Sequence, residues 1–127
     1  VKNGAQVSTP SSLAFAVLPG GTSGFANVSG TGSSLSVGTT MFIGYNGDGG
    51  VSVGGGASVT AGTLLLAFGP ASQGYFNLNP GGTLNVGGAA GIAKGDGAGT
   101  LNLSGGLLKV TGSDLTTAVP MTLSNLS

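Results

Sequence analysis

The sequence predicts an all-β chain wound as a parallel β-helix, a β-solenoid of about 25 residues per coil with four clear coils and degenerate ends. Three observations predict it. Glycines stand at positions 24, 49, 74 and 99, a constant step of 25 residues. Apolar and small polar residues alternate with a period of two on both sides of a glycine-containing bend, the pattern of strands with one buried face. The 127 residues include 28 Gly, three Asp and three Lys, but no Glu, Arg, His, Cys or Trp. Helix surfaces are usually built from the charged residues that are missing here.

The elements follow in order. Residues 1–23 do not fit the unit, although Leu13, Phe15 and Val17 alternate as a strand does. The units then run 24–48, 49–73, 74–98 and 99–112. Their first strands place Ala26 and Val28, Val51 and Val53, Phe76 and Leu78, and Leu101 and Leu103 on the apolar side. Asn27, Ser52, Asn77 and Asn102 lie between them and form one outward column. After the bend come Leu35 and Val37, Val59 and Ala61, Leu84 and Val86, and Leu108 and Val110. The bend is one residue longer in the first unit and one shorter in the last. A weaker third strand is expected at "MFIG" (41–44), "LLLA" (64–67) and "GIAKG" (91–95). Residues 113–127 leave the pattern again, with Leu115, Val119, Met121 and Leu123 apolar.

A fixed circumference enforces a fixed count, and repeats of 20–50 residues mark solenoids, propellers or arrays. A sandwich of hairpins is the competing reading, because Pro80-Gly81-Gly82 could close an antiparallel turn.

Composition removes several functions. A formal net charge of zero leaves no footprint for nucleic acid or anionic lipid. Without Cys there are no disulfides or thiolate metal sites. No apolar run reaches the length of a membrane span. The chain begins at Val1 rather than Met, read as a processed or partial chain whose export signal has been removed.

The pattern G-x-L-N-L-S-G-G-x-L-x-V with glycine-rich connectors, clearest in "GIAKGDGAGTLNLSGGLLKVTG" at 91–112, resembles the repeats of bacterial autotransporter passenger domains and related secreted parallel β-helix proteins. The resemblance covers about 24–112. It implies an exported right-handed β-helix, extracellular or at a cell surface, in a fibre or adhesin. It carries over no catalytic residue, because the repeat motif has none.

Candidate sites are few. Asp48 and Asp96 each precede a repeat-starting glycine. Sharing a column two coils apart, they would stand about 10 Å from each other, too far for a retaining glycosidase pair and marginal for an inverting one. They read as turn residues. Lys94 is placed to pair with Asp96, and exposed pairs of that kind contribute little. "NGDGG" at 46–50 lacks the regular acids of calcium-binding repeats, so no metal and no cofactor is expected. Glycosylation sequons occur at Asn27, Asn102 and Asn125. Phe25, Tyr45 and Tyr75 point outward as stacking groups for sugars. A hydroxyl column, Ser34, Ser58 and Thr83 beside Ser36, Thr60 and Asn85, is interrupted by Leu107 and Lys109.

The function expected from these features is non-enzymatic. It is an extracellular β-helical fibre subunit or adhesin segment that self-associates end to end, with residues 1–23 and 113–127 as caps or assembly segments. The alternatives are a carbohydrate-binding or carbohydrate-degrading β-helix and, third, an ice-binding module. The partners are further copies of the chain and surface glycans, with no nucleic acid and no membrane span.

Overall fold

The structure is a computed structural model and describes residues 1–19, 21–87, 90–112 and 114–123. The chain enters with β1 (Gln6–Thr9) and β2 (Leu13–Phe15). A first coil follows in β3 (Ser23–Ser29) and β4 (Ser34–Ile43), and a second in β5 (Asp48–Gly54) and β6 (Ser58–Leu66). The third coil comprises β7 (Gln73–Leu78), β8 (Thr83–Gly87) and β9 (Ile92–Lys94). The fourth comprises β10 (Ala98–Leu103) and β11 (Leu107–Thr111), and β12 (Met121–Leu123) closes the described chain.

Every pairing between these strands is parallel. One sheet runs β3, β5, β7, β10, β12 and forms the first face of the coil. The other runs β1, β4, β6, β8, β11, with β2 and β9 on the second halves of β4 and β6. A register shift between Val37 and Thr40 bends that sheet, so it supplies a second and a third face. The hairpin sandwich is thereby ruled out. Residues 76 and 84 belong to different sheets, and Phe76 lies beside Val51 and Leu101.

Alternation explains the interior. On the first face Ala26, Val51, Phe76, Leu101 and Met121 form one inward column. On the second face Val7, Leu35, Val59, Leu84 and Leu108 form another. On the third face Leu13, Met41, Leu64 and Ile92 form another. The middle members of these columns are fully buried and make one continuous core. The 25-residue glycine step has a steric cause. Gly49 and Gly74 face inward where the third face turns into the first, and a Cβ there would strike the backbone of Gly44 or Ile43. Overpacking of that kind is destabilising.

Both ends prolong the ladders. Val1 accepts from the Ser29 amide and packs on the core at one end. At the other end Val119 is buried and Pro120 accepts from Leu101 N, which lays β12 on β10. The third face ends in Lys94, which continues the inward column of Phe15, Ile43 and Leu66.

Candidate functional site

The first face carries aromatic and polar outward side chains in register. Register places Phe25, Gly50, Tyr75 and Thr100 in one outward column. Neighbouring coils stand about 4.8 Å apart, so Phe25 and Tyr75 would be separated by two coil heights if both rings stood upright. Gly50 removes the side chain between them. The Tyr75 ring leans over it, so that a Cβ on Gly50 would run into the ring. The Phe25 and Tyr75 centroids consequently lie 6.0 Å apart with ring planes tilted by 35°. Both rings remain open to solvent, Phe25 at 60% and Tyr75 at 36%.

Polar columns flank this pair two residues to either side on the same strands, about 6.6 Å away. On one side are Ser23, Asp48 and Gln73. On the other are Asn27, Ser52, Asn77 and Asn102. The second set is internally bonded: Asn77 Nδ2 donates to Ser52 Oγ at 3.2 Å, and Asn102 Nδ2 donates to Asn77 Oδ1 at 2.6 Å. Of the sequon residues, Asn27 is exposed at the lower end of the ladder. The amide nitrogen of Asn102, the atom a glycan would be attached to, is engaged with Asn77. Asn125 lies outside the described residues.

Tyr45 belongs to a different cluster. It sits at the corner after the third face and stacks on Phe68 at 4.6 Å and 15°. Phe42 meets both rings edge-on, at 5.2 Å from Tyr45 and 5.9 Å from Phe68. One face of the Tyr45 ring is thus occupied by its neighbour in the next coil. Phe42 and Phe68 escaped the sequence reading as site residues because they lie in or beside the apolar runs "MFI" and "LLLAF". The signal that could have found them is position: Phe42 and Leu65 take the outward places between inward Met41 and Ile43, and Leu64 and Leu66.

The hydroxyl column of the second face has the expected register, Ser34, Ser58, Thr83 and Leu107 beside Ser36, Thr60, Asn85 and Lys109. Asn85 Nδ2 donates to Thr60 Oγ1 at 3.2 Å. A shallow groove of about 290 Å³ follows it along Ser36, Thr60, Asn85 and the bend at Gly38, Gly62 and Gly87.

The charged residues do not converge. Asp48 and Asp96 do not share a column, and of the two only Asp96 stands in a turn. Asp48 opens β5 in register with Ser23 and Gln73. Asp96 lies at the third corner, where its amide donates to Phe68 O. The reason is connector length: Asp48 follows the corner residue Gly44 by four positions, whereas Asp96 directly follows the matching Gly95. The expected pairing of Lys94 with Asp96 is likewise replaced. Lys94 Nζ donates to the carbonyls of Gly95 and Gly97, each at 3.0 Å. Among the described residues no three His, Cys, Asp or Glu are grouped to hold a metal. No helix among them is long and apolar enough to cross a membrane.

Comparison with protein-family models, with curated proteins and with solved structures finds no match for this chain.

Proposed function

We propose that the protein is a non-enzymatic structural rod, extracellular or cell-surface, that lengthens by stacking copies end to end. The observation that carries this reading is the state of the two ends. Among the described residues β1 and β11 each pair on one edge only, and both belong to the second face. Their side chains continue the same columns: Val7 and Leu108 share one inward column, and Thr9 and Val110 the next. Val110 at one end and Val7 at the other are exposed. A second copy set on the first in the same register would extend the ladder and cover these side chains, the physics of strand addition. The resemblance of the repeats to autotransporter passenger domains supports the location.

Electron microscopy with sedimentation tests the proposal. The chain should form filaments or a concentration-dependent series of oligomers. Val110→Lys, at the exposed edge of β11, should leave the circular dichroism spectrum unchanged and abolish the series. A wild-type chain that stays monomeric at millimolar concentration would overturn it.

A further inference from the structure

We propose that the first face binds a neutral glycan laid along the rod axis across Phe25 and Tyr75. The inference stands apart from end-to-end assembly and needs only the single rod. The two rings are not used by the core, and both are exposed to solvent. They are drawn together over Gly50, so they offer one platform that spans two coils. An aromatic face pairs with the C–H face of a pyranose. On both sides stand groups suited to sugar hydroxyls: Asp48 and Gln73 on one flank, Asn27, Ser52 and Asn77 on the other.

The same flanks exclude other occupants. Polar columns on both sides keep the apolar strip one residue wide, too narrow for a protein interface or a lipid surface, which need broad apolar patches. None of β3, β5, β7, β10 or β12 contains Lys, Arg or His, and Asp48 is their single acid. A sulfated or uronic glycan would therefore meet no side-chain cation on these strands and would face the Asp48 carboxylate, whereas an uncharged one loses nothing.

Nuclear magnetic resonance titration of the full chain tests this directly. The probes are cellohexaose, xylohexaose and β-1,4-galactohexaose, each at about 5 mM, enough to populate a millimolar site. With at least one of them the ring signals of Phe25 and Tyr75 should move, while those of Phe68 stay fixed. Phe25→Ala and Tyr75→Ala should each weaken binding by about tenfold or more, and Asn77→Ala by a smaller factor. Because Tyr75 covers Gly50, its removal could disturb the fold. Phe25→Ala, on the outermost strand of its sheet, then carries the test alone, with the thermal melt as its control. Three results would overturn the site. One is unmoved rings with all three sugars. Another is shifts that persist in Phe25→Ala. The last is self-association of the wild type that Phe25→Ala abolishes, which would make the rings a contact between copies.

Discussion

Phe76 and Phe25 are the same residue type on the same face of the coil, one turned in and one turned out. Phe76 is fully buried in register between Val51 and Leu101, and Phe25 is largely exposed. Truncating the first leaves a cavity that the stacked coils cannot collapse. Phe76→Ala should cost about 3–5 kcal/mol in urea denaturation. Phe25→Ala should stay within about 0.5 kcal/mol of wild type in the same assay. Gly74 makes the complementary point. It fills an inward place where a Cβ would meet the Ile43 carbonyl. Gly74→Ala should therefore destabilise by roughly 1–3 kcal/mol, although alanine favours folding at most strand positions. The corner itself holds strain: Ala16, Gly44 and Ala67 sit at equivalent places with φ of 56°, 75° and 54°. Two of those three pay the cost of a left-handed backbone with a side chain present.

At the scale of the element, the amide column of the first face is a hydrogen-bonded ladder, and its members are unequal. Asn77 donates to Ser52 and accepts from Asn102, while Asn102 makes the terminal bond. Each such bond contributes about 1 kcal/mol net. Asn77→Ala should lower stability by about 1–2 kcal/mol and Asn102→Ala by about half as much, read from denaturation midpoints. Equal losses would mean that the ladder does not act through shared partners. This column, and the hydroxyl column of the second face, were legible in the sequence. Positions such as Ser34, Ser58 and Thr83 recur after a bend whose length changes by one residue at most between neighbouring coils. The third face was less legible. Continuous apolar runs hide the alternation that would assign Phe42 and Leu65 outward. Corner-to-strand connectors also vary, so the sequence alone does not show that Asp48 opens a strand while Asp96 stays at a corner. Each coil still closes at 25 residues, because a longer path to the corner is offset by a shorter connector after it. β1 was illegible for a different reason: "QVST" has a single large apolar residue, and its place is set by pairing with β4.

For the whole molecule, stability comes from repetition. A coil contacts chiefly the coils above and below it, so the core is a stack of nearest-neighbour interfaces. With three Lys and three Asp in the chain, the proposed end-to-end assembly would have little electrostatic content. Filament length should thus be insensitive to sodium chloride between about 0.02 and 0.5 M, a range over which exposed charge pairs are progressively screened. Dissolution of the filaments by salt would show that ion pairs hold them together instead.

Residues one turn apart are parallel neighbours, and contacts between side-chain and backbone protons report on that pairing. Nuclear Overhauser spectra should connect the side-chain amides of Asn77 and Asn102, and should place Phe76 beside Leu101 and Val51. Strong Hα–Hα cross-peaks linking Phe76 or Leu78 to Leu84 or Val86, as the close pairs of an antiparallel hairpin require, would contradict the stacked coil.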